Sequence, residues 1–334
     1  MKTALIVGGS GQIGQATARN LLAHGWRVRL AQRHRTRLPE DLVARVELVS
    51  IDREQSGAVA GAVAGGVDAL IDTVAYDEAH ARQLLAVQGG VGAFVVISSG
   101  SVCRDEAGRT LDEAADTGFP EFPVPLTEDQ STVAPGPETY STRKAALEQT
   151  LLQEATGPVT IVRPFAIHGP GSTHPREWWF VKRILDGRRR IPLALRGESR
   201  FHTSASVNIA ELIRVALETP ATQILNAADP DAPSVAEIGR AVAEVYGVEL
   251  DLVLLDGPPK GGVGATPWGI PRPIIADTSR AAALGYRPVA TYSEAIGAAC
   301  RSAEALAAAG VPFAPYLAQM FDYAAEDVRL AQLS

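Results

Sequence analysis

Ala4-Leu5-Ile6-Val7-Gly8-Gly9-Ser10-Gly11-Gln12-Ile13-Gly14 is the stretch on which the reading of this chain turns. Its first four residues are a short apolar run of strand formers, and the glycines follow at once. Beyond them Ile13, Ala16, Thr17, Leu21 and Leu22 recur at helical spacing as far as Gly25, which supplies a stop. Val28, Leu30 and Ala31 open a second strand. Strand, glycine turn, helix and strand in that order predict the first unit of an α/β fold, a Rossmann-type doubly wound parallel sheet. A side chain at Gly8 or Gly11 would obstruct the turn or the approach of a pyrophosphate to backbone N–H groups. Gly14 lets the helix lie close to the strand, and the helix N-terminus favours a negative phosphate. Gly8, Ser10, Gly11, Gln12, Ile13 and Gly14 are therefore the expected phosphate cradle.

Working outward, the second strand ends in Ala31-Gln32-Arg33-His34-Arg35. Dinucleotide enzymes that use NAD place Asp or Glu here for the ribose 2′-hydroxyl, whereas Arg accommodates a 2′-phosphate. Gln32 stands at about the acidic position and Arg33 follows it, so NADP(H) is expected ahead of NAD(H). Arg35 is the alternative cation, and a solvated basic turn is the plainer reading. Asp68–Ala75 and Ala93–Ile97 read as a fourth and fifth strand with a helix over 78–88 between them. The fifth ends in Ser98-Ser99-Gly100-Ser101, at the carboxyl edge where ligands of such sheets lie.

Tyr140-Ser-Thr-Arg-Lys144 opens another helical run, and residues four apart share a helix face. A proton donor is what a hydride acceptor needs as its alkoxide forms. A tyrosine titrates near 10 when free, and a neighbouring ammonium and a positive nicotinamide would favour its phenolate. A YxxxK on its own is more often an exposed helix with a solvated lysine. After a glycine turn and a strand-ending serine pair it becomes specific.

The Gly-x-x-Gly-x-x-Gly spacing resembles that of the extended (atypical) short-chain dehydrogenase/reductases, the NAD-dependent epimerase/dehydratase family. So do Ser98–Cys103 (its SSxxVY), Tyr140–Lys144, Arg163–Gly171 (its RPxxxxGPG) and Ala276–Pro288 (its C-terminal signature). The resemblance covers roughly residues 1–300. It implies a catalytic Ser99, Tyr140 and Lys144, with Ser101 the runner-up serine and Ser98 satisfying backbone groups. It further implies that Asp52, after the Val46–Ile51 strand, contacts the adenine, with a buried cap the alternative, and that Lys144 and Pro164 border the nicotinamide end. The implied dinucleotide-binding domain spans 1–165 plus about 203–228, and a smaller C-terminal substrate domain spans about 166–202 plus 229–334.

Departures from the family narrow the activity. Ala166 stands where sugar-nucleotide members carry a phosphate-contacting Asn, and Gly100-Ser101 after Ser99 removes the Thr-Asp-Glu triplet of the dehydratases. The loop at Tyr76-Asp77-Glu78 is short for an epimerase. The expected activity is NADP(H)-dependent interconversion of a carbonyl and an alcohol, with a nucleotide-sugar epimerase as the alternative. A segment around Arg176–Arg183 and 187–213 resembles the chloroplast stem-loop-binding branch, which keeps a non-catalytic RNA-binding or sensor protein as a second alternative. In that segment Trp178, Trp179 and Phe180 read either as an apolar helix core or as a pocket wall, and Arg188–Arg190 as a solvated turn. Residues 104–137 read as a long irregular loop and 295–309 as an amphipathic helix.

Composition sets outer bounds. Over 334 residues, 46% are hydrophobic and 21% charged, the balance of a folded globular chain. A net charge of −7 disfavours nucleic acid as the main partner. Cys103 and Cys300 are too few for a disulfide framework, the histidines show no ligand spacing, and no metal is expected. No apolar run reaches membrane-spanning length and the start lacks a signal peptide, so a cytoplasmic enzyme with a small-molecule carbonyl, alcohol or sugar-nucleotide substrate is expected, a homodimer being compatible.

Overall fold

The computed structural model describes residues 1–33 and 38–333. Its strands, in chain order, are β1 (Thr3–Val7), β2 (Arg27–Gln32), β3 (Glu47–Ser50), β4 (Ala69–Asp72), β5 (Phe94–Ile97), β6 (Val159–Pro164), β7 (Ala166–His168), β8 (Arg190–Leu193), β9 (Thr203–Ala205), β10 (Gln223–Ala227) and β11 (Asp251–Leu254). Seven of them make one sheet in the order β10-β6-β5-β4-β1-β2-β3, with every neighbouring pair parallel. The winding reverses between β1 and β4, the switch point beyond which ligands of such sheets sit. Helices cover both faces, which is why β5 reads as an unbroken apolar run and β4 as one as far as Asp72. Leu5, Leu70, Phe94, Val96 and Ile161 of the sheet pack with Leu147 and Leu151 of the helix Tyr140–Glu154.

The chain divides into two compact units, one of Met1–Phe165, Ser206–Ala228 and Ala276–Val289, the other of Ala166–Ala205, Asp229–Ile275 and Ala290–Ser334. The segment Ala276–Val289, placed by the sequence reading in the substrate domain, thus groups with the sheet. The reason is polar pinning: Asp277 N donates to Leu126 O at 2.8 Å, Asn226 Nδ2 to Asp277 O at 3.1 Å, and Val289 N to Asn208 Oδ1 at 2.8 Å. Conversely, β9 leaves that domain because it pairs with β7.

The second unit holds two small parallel pairs, β7 with β9 and β8 with β11. Its core gathers Trp179, Phe180, Ile191, Trp268, Tyr292 and Ile296. A buried polar cluster accompanies it. The Asp229 carboxylate accepts from Thr203 Oγ1 and Ala205 N, both at 2.7 Å, and lies 2.8 Å from His168 Nε2. The helix expected over 295–309 is Tyr292–Ala308, opened by a Thr291–Glu294 capping box. The helix expected over 78–88 is shorter, Glu78–Leu85, with Asp77 as its cap.

Gly8 takes φ +87°, a left-handed conformation that side-chain-bearing residues resist, and a Cβ there would lie 2.3 Å from Thr73 Oγ1. At Gly14 a Cβ would meet Gly8 O at 2.5 Å and Gly9 Cα at 2.8 Å, both backbone atoms with nowhere to go. Gly14→Ala is therefore expected to cost about 1–3 kcal/mol through forced separation of helix and turn. A guanidinium unfolding curve checks this, and an unchanged midpoint would contradict it.

Candidate active site

The glycine turn is built by backbone bonds: Gly8 N and Gly9 N donate to Ala31 O, at 3.0 and 3.3 Å, and Gly11 N donates to Gly8 O at 3.0 Å. Gly11 caps the helix Gln12–Ala23 without a side chain, and no acidic residue stands in its first turn. The leading N–H groups are thus left without a capping side chain, at a helix end that favours an anion. Gln15 Nε2 braces the turn by donating to Ser10 O at 2.8 Å. At the end of β2 the Gln32 amide is buried, with neither its oxygen nor its nitrogen hydrogen-bonded to a described residue. Arg33 beside it is exposed and makes no ion pair with a described residue, while Arg35 lies outside the described residues. Asp52 is half-buried and closes a local turn, its Oδ1 accepting from Glu54 N at 3.2 Å. Pro164 is buried at the end of β6.

Ser99, Tyr140 and Lys144 come together in the same unit. Thr139 and Thr142 form a capping box that starts the helix at Tyr140, and Asp112 Oδ2 accepts from Ser141 N at 2.8 Å. The Ser99 side chain is near enough to Tyr140 to act on its phenol, and Ser99 Oγ accepts from Ser101 N at 3.1 Å. Ser101 Oγ instead accepts from Ser141 Oγ at 3.0 Å, and the buried Ser98 Oγ has no partner, so Ser98 does not serve the strand end as expected. Lys144 is buried, and its Nζ donates to Ala75 O at 2.6 Å and Ile97 O at 2.9 Å.

One electrostatic expectation needs correcting. In the protein alone the Tyr140 phenol is raised, not lowered: burial dominates, and of the groups acting on it only the Ser99 side chain works the other way. Lys144 stands 5.8 Å from the Tyr140 ring centroid. Burial brings Lys144 itself down to about 8, against the raising effect of Asp72.

Several residues of the site escaped the sequence reading. Arg53 Nη1 lies 2.9 and 2.8 Å from the two oxygens of Asp72, inside the protein, and Asp72 Oδ1 also accepts from Val74 N at 2.9 Å. A carboxylate ending the apolar run Ala69-Leu70-Ile71 was the available signal. Tyr76 presents its ring edge to Tyr140 at 5.4 Å and carries the Arg143 guanidinium 4.8 Å from its centroid. Thr73 Oγ1 donates to Val7 O at 3.1 Å and also reaches Gly8 O at 3.3 Å, so one short segment, 73–76, borders both the glycine turn and the triad. A cavity of about 390 Å³ lies at the same helix end, against Arg104, Thr110, Thr139 and Thr142, but none of Ser99, Tyr140 and Lys144 lines it.

The aromatic segment of the second unit resolves toward core. Trp179 and Phe180 are fully buried, and the Arg183 guanidinium lies 3.6 Å from the Trp179 ring centroid while bonding Glu326 at 2.5 Å. The neighbouring arginines are engaged within the chain: Arg188 pairs with Asp327, Arg189 donates to Ile184 O, and Arg190 pairs with Asp251. Among the described residues no group of His, Cys, Asp and Glu could hold a metal ion, and no helix is long and apolar enough to cross a membrane.

The model of the NAD dependent epimerase/dehydratase family matches residues 4–228. The chain belongs to this family. A search of the curated proteins finds no match. Among solved structures, UDP-glucose 4-epimerase from Thermotoga maritima, with UDP-glucose, is similar at 18% identity and TM-score 0.69, over 91% of this chain and 99% of that one. The dTDP-glucose 4,6-dehydratase of Bacillus anthracis, in complex with NAD, is similar at 15% identity and TM-score 0.67, over 91% and 97%. A UDP-glucuronic acid 4-epimerase from Bacillus cereus, with UDP-glucuronic acid and NAD, gives 17% and 0.66, over 91% and 99%. At these identities the likeness shows the fold, that of the extended short-chain dehydrogenases/reductases.

Cys103 lies a few residues beyond Ser99 in this epimerase/dehydratase-family site, yet burial pushes its thiol up to about 11, with the Arg163 charge opposing. Burial raises Cys300 further still. A thiol so held is a poor nucleophile at neutral pH. Native protein at pH 8 is expected to leave an aromatic disulfide reagent unconsumed over minutes and to consume it after unfolding. Rapid labelling of native Cys103 would refute this.

Proposed function

We propose that the protein is an NADP(H)-dependent oxidoreductase that interconverts a carbonyl and an alcohol. The observation that carries this reading is Tyr140 beside Ser99 and a buried Lys144, whose Nζ lies 5.8 Å from the Tyr140 ring centroid and donates to Ile97 O at the carboxyl edge of the sheet. The residues present fit a nicotinamide dinucleotide. The turn at Gly8, Ser10, Gly11, Gln12, Ile13 and Gly14 has no room for a side chain at Gly8 or Gly14 and offers N–H groups without a capping side chain to a pyrophosphate, and the orphaned Gln32 amide suits a hydroxyl-rich ligand. When bound, the nicotinamide supplies or takes up the hydride.

The chain's own groups handle the oxygen. Ser99 Oγ and the Tyr140 hydroxyl are the donors that hold a substrate oxygen and polarise its carbonyl. The Tyr140 phenol, raised by burial above its ordinary value, is protonated at neutral pH and holds the proton that completes a reduction. Lys144 keeps the helix seated on the strand ends and holds a positive charge near the phenol. Tyr140→Phe is expected to lower carbonyl turnover at least about a hundredfold, the scale of general acid–base catalysis, with cofactor affinity little changed. Near-normal turnover would remove Tyr140 from the chemistry.

The preference for NADP(H) rests on Gln32, which lacks the carboxylate that would repel a 2′-phosphate, and on the exposed Arg33, free of an ion pair with described residues. A charge-assisted pair of this kind contributes on the order of 1.5–3 kcal/mol, about ten- to a hundredfold in affinity. Titration should find NADPH bound more tightly than NADH, with Arg33→Ala closing most of the gap; Arg35→Ala tests the alternative cation. Equal affinities would leave the family's NAD as the cofactor.

A nucleotide-sugar epimerase is the second reading, supported by the UDP-sugars in the similar structures. An epimerase regenerates its cofactor in each turnover, so net oxidation of NADPH by a carbonyl substrate separates the two.

A further inference from the structure

Beneath the triad lies an ion pair that the proposed chemistry does not use. Asp72 ends β4 fully buried, and its partner Arg53 is buried as well. Arg53 Nη2 donates to Gln83 Oε1 and Gln83 Nε2 to Arg53 O, both at 3.1 Å, so the guanidinium is anchored from the side of the helix Glu78–Leu85. With that support the Asp72 carboxylate accepts from Val74 N, which turns the chain just before Ala75. The carbonyl of Ala75 is then the acceptor closest to Lys144, at 2.6 Å.

We propose that Asp72 is the positioning residue for Lys144: held by Arg53, it shapes the turn that hands the Ala75 carbonyl to the ammonium and supplies a counter-charge to it. The inference rests on the reading of Lys144 as part of the Ser-Tyr-Lys constellation and names the group that governs it. A lysine this deeply buried loses its charge unless something opposes desolvation. The groups that act on it are Asp72 at the end of β4, Arg53 after β3, Asp77 at the cap of the next helix, and Glu148 on its own helix. The Tyr76 and Tyr140 rings stand 5.9 and 5.8 Å away. Of the charges, Asp72 is the strongest influence that retains the proton, and Arg53 works against it.

The lysines of the chain are Lys2, Lys144, Lys182 and Lys260, so lysine-selective isotope labelling gives a spectrum sparse enough to follow each side chain by NMR. Lys144 is assigned by the signal lost in Lys144→Met. In the full-length protein its midpoint is expected near 8, where burial leaves it. Asp72→Asn keeps an oxygen to accept from Val74 N but removes the charge, and should move the midpoint down by about one pH unit, a tenfold change in proton affinity. Mere loosening of the site would admit water and move it the other way, toward the ordinary lysine value. If the single variant, which leaves Arg53 unpaired, does not fold, the double variant Arg53→Gln/Asp72→Asn removes both charges, and the downward shift is still expected because the larger influence is lost. A midpoint that stays put or rises in the folded variants would overturn the proposal. A downward shift alongside a Tyr140→Phe variant that still turns over would leave the positioning intact and remove the catalytic reading instead.

Discussion

The Lys144 ammonium fastens the helix that carries Tyr140 to the carboxyl ends of two adjacent strands. Its contacts are Ala75 O, just past β4, and Ile97 O, the last carbonyl of β5. A buried ammonium is tolerated only where such acceptors replace lost water. One turn further along the helix, Glu148 forms a two-point bond with Arg163 of β6, at 2.6 and 3.0 Å, both groups buried. A bidentate guanidinium–carboxylate pair fixes orientation as well as distance. The helix is thereby registered over β4, β5 and β6, and the position of Tyr140 relative to Ser99 follows from those attachments.

The segment 73–76 has a comparable role at smaller scale. Thr73 reaches the backbone of the glycine turn, Val74 N is taken by Asp72, Ala75 O receives Lys144, and Tyr76 borders Tyr140. Four successive residues thus link the turn after β1 to the groups after β5. A displacement of this short stretch would be felt at both ends of the site at once, which is why its support by a buried ion pair matters.

What could be read directly from the chain was whatever is encoded locally or by spacing. The glycine turn, the serine-ended strand and the Tyr140–Lys144 face each depend on neighbours within a few residues, and the apolar runs of β4 and β5 follow from burial on both faces. Contacts between distant segments were not legible. Nothing near Asp72 in sequence announces Arg53, and nothing near Ala276 announces Leu126 or Asn226, so Ala276–Val289 was assigned to the wrong side of the division. The expectation for Tyr140 went astray for a related reason: it weighed the neighbouring ammonium but not the desolvation, which depends on everything packed around the ring. The bond that Ser141, forty residues on, donates to Ser101 Oγ was equally out of reach of the local pattern.

The glycine after Ser99 has a consequence for what this scaffold can become. A Cβ at Gly100 would lie 2.4 Å from Cε1 of the Phe165 ring, which packs directly against that backbone. The Thr-Asp-Glu triplet of the dehydratases would have to place its middle, carboxylate-bearing residue there. A single substitution at position 100 meets an aromatic wall, and shrinking Phe165 alone opens a void in the core. A side chain at position 100 therefore needs Phe165 to give way at the same time, which makes Gly100 and Phe165 one packing unit whose two positions have to change together.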